Sequence, residues 1–494
     1  MKLSVPLAVV AALAVSAPVL AAPAPVSLEL LGRTPALGEG GAEIAAHHPQ
    51  THRVFVTNAA ANRLDVYDAR NPAAPVLMRT IDLAPYGDGP NSVDVAPGRK
   101  GLVAVAVQAD VATDPGTVEL FDAEGEHVAT VPAGPLPDML TFTDNGRTLL
   151  VANEGEPDGD TGVDPEGSVT VIDLRRGATR ARARTAALTG VPGLGPIRDI
   201  GFEPEYITTA FGGRLAYVSL QEANAVAILE VDDARFRLIR GLGYKDHVEP
   251  ANALDPSDRD GGIDIDPWPG VYGMYQPDAI AAYRAGGFTW IATANEGDAL
   301  ADGSEEARVG DLTLDPAAFP AGTQDDAALG RLTVTTRQGD TDGDGDHDRL
   351  YAFGGRSLSV LDPFGGIASD TGDELERLTA RLDPGNFNKD NEPSAIDNRS
   401  DNKGPEPEGL DVGRVGRRTY AFLGAERSGG IFAFDLTDRP GRAGFAGYLN
   451  TRDADLGPEG VRFLPARESP TRRPLVIVTN EISGTVSLLG VGPA

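Results

Sequence analysis

Carboxylates in this chain fall at spacings that suit a hard cation. Asp340, Asp342, Asp344, Asp346 and Asp348 occupy alternate positions, and Gly345 stands sixth from Asp340. Acids spaced this way wrap one calcium ion with oxygen, and glycine at the sixth place permits the sharp turn. Position twelve is Tyr351 rather than Glu, and no helix pattern flanks the segment. The expectation is a calcium-binding loop that is not an EF-hand. In its blander role the ion would only stiffen the loop.

A second set of acids recurs in pairs of signals. Pro137-Asp138, Pro204-Glu205, Pro277-Asp278, Pro407-Glu408 and Pro458-Glu459 each open a short apolar run, with Pro90-Asn91 and Ala42-Glu43 as variants. The next run closes on Asn153-Glu154, Asn295-Glu296 or Asn480-Glu481, with Gln221-Glu222, Ala425-Glu426, Gln108 and Asn58 as weaker copies. Brought together, these carboxylates repel, and protonation, basic side chains or metal ions must offset them. Oxygen-only ligands favour calcium, then magnesium or manganese, among divalent or trivalent ions. Glu154, Glu205, Asp278, Glu296, Glu408, Glu459 and Glu481 are the candidate ligands. The alternative is that these acids cap turns and accept backbone N–H groups.

Basic residues beside the acidic segments are few: Lys245, His247, Arg259, Arg308, Arg356, Lys403 and Arg427. Arg259, Arg308 and Lys403 are candidate clamps for a phosphate group, since a guanidinium fork or an ammonium matches its oxygens. Ion pairing with the surrounding acids is the competing role. His47 and His48 read as structural. No Gly-x-Ser-x-Gly elbow, phosphate-cradling Gly-Lys-Ser/Thr loop or His-Glu-x-x-His motif is present. If the protein is an enzyme, metal-assisted hydrolysis is the route left open.

The elements that must position these groups are short β runs split by Gly, Asn, Asp and Pro. Each unit reads as four antiparallel strands, and the third ends in Asp, as in Leu64 to Asp68 or Val169 to Asp173. Radial repetition of such units is a β-propeller. Seven units can be counted, and the last stops after its third strand, Thr485 to Leu489. The lone strand Val26 to Leu31 would complete that blade and close the ring. The expected fold is therefore an all-β, seven-bladed propeller over residues 22–494, with loop insertions at about 154–167, 240–273, 297–350 and 383–404. The Pro-acid and Asn-Glu steps would then share one mouth of the central channel.

Residues 1–21 read as a signal peptide: Lys2, an apolar stretch from Leu3 to Val15, and a cut after Ala21. That stretch is too short to span a membrane. The expectation is a secreted or periplasmic monomer without a membrane span. The chain has no Cys, which excludes disulfides, thiolate metal sites and cysteine nucleophiles. A formal net charge of −30 makes nucleic acid a poor partner.

Several stretches carry a family resemblance. They include Val151-Ala152-Asn153-Glu154-Gly155-Glu156-Pro157, Asn252-Ala253-Leu254-Asp255-Pro256-Ser257-Asp258-Arg259-Asp260-Gly261-Gly262, Tyr275-Gln276-Pro277-Asp278 and Lys403-Gly404-Pro405-Glu406-Pro407-Glu408-Gly409. The chain resembles the bacterial choice-of-anchor I proteins, relatives of mesenchyme-specific cell-surface glycoproteins of biomineralising animals. The resemblance implies an extracellular propeller. It also implies an alkaline phosphatase-like activity for bacterial members and an association with calcium mineral for animal ones.

The reading from sequence is an exported calcium-binding propeller that hydrolyses a small phosphorylated substrate at its acidic mouth. The rival is a non-catalytic propeller that binds calcium or an extracellular ligand. A lactonase-type propeller with one channel calcium also fits the Asn and Glu ring.

Overall fold

A computed structural model describes residues 25–494 apart from 99–100, 160, 199, 392–395 and 439–440. The expected leader, residues 1–21, lies outside the described residues.

Strands Pro137–Phe142, Thr148–Asn153, Ser168–Asp173 and Arg182–Ala187 pair in chain order as one antiparallel sheet. Sheets starting at Ala45–His48, Pro90–Val95, Pro204–Ala210, Ile280–Ala285 and Pro407–Val415 repeat that order. The sheet starting at Pro204 gains a short parallel edge, Gly193–Leu194. In the sheet starting at Pro458–Leu464, the fourth strand comes from the other end of the chain. There Val26–Arg33 pairs antiparallel with Thr485–Pro493.

The sheets bury both faces against their neighbours, so their middle strands are mostly buried. Val103–Val107 is buried at every residue. One cluster joins Phe55, Leu64 and Val66 of one sheet to Val93, Val105 and Phe121 of the next. Each such side chain contributes about 1.5–3 kcal/mol by leaving water. Outermost strands face solvent, as Val76–Asp82 does. The first strands pack side by side in chain order, and Pro458–Leu464 also packs against Ala45–His48. Up-and-down sheets set around a common axis make a β-propeller. The first strands of all seven of these sheets line one cavity of about 970 Å³.

An eighth sheet departs from the loops expected at 240–273 and 297–350. Tyr244–Asp246, Val271–Met274, Leu350–Ala352, Thr333–Thr335 and Glu306–Arg308 pair in that order. Leu254, Val309, Phe319, Leu332 and Leu350 form its own small core. Its strands are of three or four residues, too short to carry a period-2 signal among acids and glycines.

Buried cations tie this sheet down. Lys245 Nζ donates to the carbonyls of Gly355 (2.7 Å) and Gly372 (2.6 Å) and lies 3.0 Å from Asp370. Arg198 pairs with the fully buried Glu305 and donates to the Glu222 carbonyl. Arg356 donates to the carbonyls of Asp255, Ser400 and Asn402 and to Glu376. Lys245 and Arg356 thus hold backbone together.

Candidate metal centre

The two recurring steps are joined by hydrogen bonds. At four of the five Pro-acid steps the residue before the proline accepts from the first or second residue past the second strand's end. Glu154 N donates to Leu136 O (2.9 Å), Gly297 N to Gln276 O (3.1 Å), Glu426 N to Glu406 O (2.8 Å) and Glu481 N to Gly457 O (2.7 Å). Leu136, Gln276 and Glu406 take left-handed φ angles of 43°, 43° and 51° to do so. Such backbone costs a non-glycine residue energy and persists only where its surroundings impose it.

Four of these prolines then open a β-bulge. Pro137 faces Asn153, but the next pair is Leu140 with Val151. Asp138 and Met139 therefore oppose Ala152 alone. The same shift follows Pro204, Pro407 and Pro458. Proline has no N–H to lose from a ladder, and a bulge re-aims the side chains it carries. The acid after the proline is the re-aimed residue in each case. The asparagines act differently. Asn153 Nδ2 donates to Ser168 Oγ (3.1 Å) and Thr170 Oγ1 (2.9 Å), and Asn295 Nδ2 to Ser357 and Ser359. They fasten second strands to third strands.

Asp278, Glu296 and Glu408 offer carboxylate oxygens that all lie within 4.8 Å of one another. Glu296, Glu406 and Glu426 form an overlapping group of the same size. Oxygens on opposite sides of one calcium ion are about 5 Å apart, so either group can share an ion. Glu408 Oε2, Glu459 Oε2 and Glu222 Oε2 are enclosed without a hydrogen-bond partner among the described residues.

The remaining acids sense the same field. Burial first, then Glu154, Glu222, Asp138 and Asp278, raises Glu205 well above the usual carboxylate range. Glu408 is raised by burial, then by Glu426, Glu296, Glu459 and Asp278. Glu459 is raised by burial, then by Glu43, Glu481 and Asp278. Glu154 and Asp278 rise for the same reasons. Glu43 and Glu426 are pushed up to about 8, and Asp138 to about 7, with burial the largest cause. Most of these side chains lie deep in the molecule yet keep some exposed surface. A group that still meets water feels less desolvation than one in dry core.

One corner of the cluster is compensated by cations. Lys403 Nζ lies 3.0 Å from Glu296 Oε1 and 3.5 Å from both Asp298 and Glu406. Arg427 lies 3.4 Å from Glu406 and 3.0 Å from Glu426, and Arg399 also pairs with Glu406. Against the upward pull of burial, Lys403, Arg399 and Arg427 hold Glu406 below its ordinary value. Arg259 lies elsewhere, exposed and paired with Asp326 at 2.7 Å. Arg308 is held by Asp401 (3.0 Å) and donates to the Asp401 carbonyl. Among the three clamp candidates, only Lys403 touches the cluster's carboxylates.

The aspartate loop is a separate group. Asp340, Asp342 and Asp348 bring oxygens within 4.8 Å. Asp340 accepts from Gly343 N (2.6 Å) and Gly345 N (3.0 Å), and Asp348 accepts from Thr341 N (2.7 Å). Asp344 caps Asp346 N, and Asp346 Oδ1 has no partner. The loop is fastened to the insertion where Asp315 N donates to His347 O.

Glu203 and Glu406 were not picked out from sequence as members of the cluster. Both stand immediately before a Pro-acid step, in Glu203-Pro204-Glu205 and Glu406-Pro407-Glu408. That doubled acid was the available signal. Glu203 is 8% exposed and raised to about 7 by burial, then by Glu156 and Asp164.

Gigasin-3a of Magallana gigas is 37% identical over 193 residues, 34% of this chain and 66% of that protein. The match spans just under two thirds of that relative's length. A chain of Kuenenia stuttgartiensis hydrazine synthase superposes with a TM-score of 0.52 at 12% identity, over 92% of this chain and 97% of its own. That likeness concerns the fold alone. The β-propeller domain of Myceliophteria thermophila Cps50 gives 0.47 at 8% identity, over 93% and 99% of the two chains. The choice-of-anchor I domain matches residues 43–439.

Proposed function

The chain belongs to the choice-of-anchor I domain family, and from that premise we propose that it is an exported, calcium-binding seven-bladed propeller. The pairing of Val26–Arg33 with Thr485–Pro493 and the contact of Pro458–Leu464 with Ala45–His48 support a ring closed between its ends. Closure leaves no free inner edge. The observation that carries the calcium reading is the meeting of Asp278, Glu296 and Glu408 within 4.8 Å, with Glu408 Oε2 lacking a partner. Oxygen-only donors of this kind suit a hard cation. Glu205 and Glu459 interact with that group, Glu154 and Glu481 interact with those two in turn, and all lower the potential around it. Asp340, Asp342, Asp344, Asp346 and Asp348 would hold a further ion that stiffens the insertion.

Binding without catalysis is the leading reading, because the basic side chains around the carboxylates are spent on ion pairs. Lys403 is itself paired with Glu296, but as the one clamp candidate that reaches these carboxylates it favours the second reading, metal-assisted hydrolysis of a phosphoester. There a bound cation would polarise a phosphoryl oxygen, and Lys403 would donate to another.

Two measurements on metal-stripped protein separate these readings. Calcium should raise the melting temperature, and an unchanged melt would remove the calcium reading. Turnover of phosphomonoesters or phosphodiesters that appears only after calcium is restored would promote the hydrolase reading. Its absence with every divalent ion would leave binding alone.

A further inference from the structure

The opposite end of the first strands has a different chemistry. The acids stand at the strand starts, whereas the cavity of about 970 Å³ is lined by the rest of each strand and the turns beyond. Arg284, Arg414, Arg417, Arg462 and Arg467 line it, in a chain whose net charge is −30. They come from three consecutive sheets, those starting at Ile280, Pro407 and Pro458.

Carboxylates in the same lining compensate only two of them. Asp94 accepts from Phe142 N (2.9 Å), and Asp411 from Phe463 N (2.8 Å). Both bridge one first strand to the next. Asp94 also lies 3.2 Å from Arg462, and Glu468 lies 2.8 Å from Arg467. Asp144, the fourth acid, is exposed at a turn. Arg284, Arg414 and Arg417 have no ion pair with any described residue.

A second, independent feature calls for an acceptor. His47 lines this cavity, is 6% exposed, and neither of its ring nitrogens has a hydrogen-bond partner among the described residues. An imidazole left so buried is costly unless something accepts its N–H. Burial, His52, His48 and Arg462, in that order, hold its pKa down to about 3, so the ring is a neutral donor.

We propose that this cavity is an anion-binding site, distinct from the metal centre, that takes a small organic anion bearing a phosphate or carboxylate group. Arg414 and Arg417 supply the uncompensated charge, Arg462 is held beside them by Asp94, and His47 supplies a buried donor. Met139, Tyr206 and Phe463 offer a surface for an apolar body.

Calorimetric titration of the full protein at low salt with inorganic phosphate, and separately with citrate, tests the proposal. Saturable binding of at least one anion is expected, with the imidazole nitrogen signals of His47 shifting as the site fills. R414A/R417A changes only exposed side chains without ion pairs and should fold. It should weaken binding at least about tenfold. E296Q/E408Q should bind the anion as the parent does. Failure of both anions to bind below ~1 mM, equal affinity in R414A/R417A, or loss of binding in E296Q/E408Q would each overturn it. The last result would place the anion on a metal at the acidic end.

Discussion

Glu296 Oε1 and Lys403 Nζ meet at 3.0 Å although 107 positions separate them in sequence. Lys403 reaches Asp298 and Glu406 as well, so one ammonium serves three carboxylates. Asp278 and Glu408 lie beyond that pairing, and there a cation is still wanted. Lys403 thus marks where the protein's own charge compensation stops.

Removing Lys403 tests that division. Breaking a buried pair leaves charges unmatched and costs about 3 kcal/mol. Lys403→Met should lower the melting temperature of metal-stripped protein and tighten calcium binding. A melt equal to the parent's, followed by chemical denaturation, would show that Lys403 offsets nothing.

Stability should depend on pH in a definite direction. Glu43 and Glu426 titrate near 8 and Asp138 near 7 in the folded chain. The unfolded chain releases these protons at about pH 4. The folded state holds protons that the unfolded state has lost, so stability falls as pH rises from about 4 to about 8. Without metal, the melting temperature should drop between about pH 5 and pH 8, and calcium should shrink the drop. A melt that rises with pH over that window would contradict the raised carboxylates.

Arg356 places the Lys403 segment. Its guanidinium donates to the Ser400 and Asn402 carbonyls at 2.7 Å while pairing with Glu376 at 2.7 Å. A lysine cannot reproduce that fork. Arg356→Lys should cost about 1.5–3 kcal/mol through the hydrogen bonds lost and weaken calcium binding together. Urea melts and calcium titration of the same variant check both effects.

The aspartate loop should behave as an independent unit. Asp340→Asn with Asp342→Asn should leave the fold intact, because both side chains are exposed. Calcium should then no longer protect residues 339–349 from limited proteolysis. Protection equal to the parent's would show that the loop binds no ion.

Much of this arrangement was legible in the sequence. The Pro-acid and Asn-Glu steps mark the two ends that the Glu154-to-Leu136 and Glu481-to-Gly457 hydrogen bonds join. Proline, acid and asparagine each have a local mechanical role there, so their recurrence carried structural meaning. The fate of the basic residues was not legible. Whether Lys245 meets solvent or the Gly372 carbonyl depends on how the insertions fold back over the propeller. Those insertions build a sheet from strands of three or four residues, below the length at which a pattern can be read. The arginines of the cavity are not legible in the sequence for another reason. Arg414 and Arg462 look like ordinary exposed strand residues until the first strands are set around one axis.

The central claim is that Asp278, Glu296 and Glu408 hold a calcium ion. Calcium titration of metal-stripped protein by calorimetry, parent against E296Q/E408Q, tests it most directly. The account predicts that the variant loses one class of site and keeps the one contributed by the aspartate loop. An unchanged number of sites and unchanged affinity in E296Q/E408Q would contradict it.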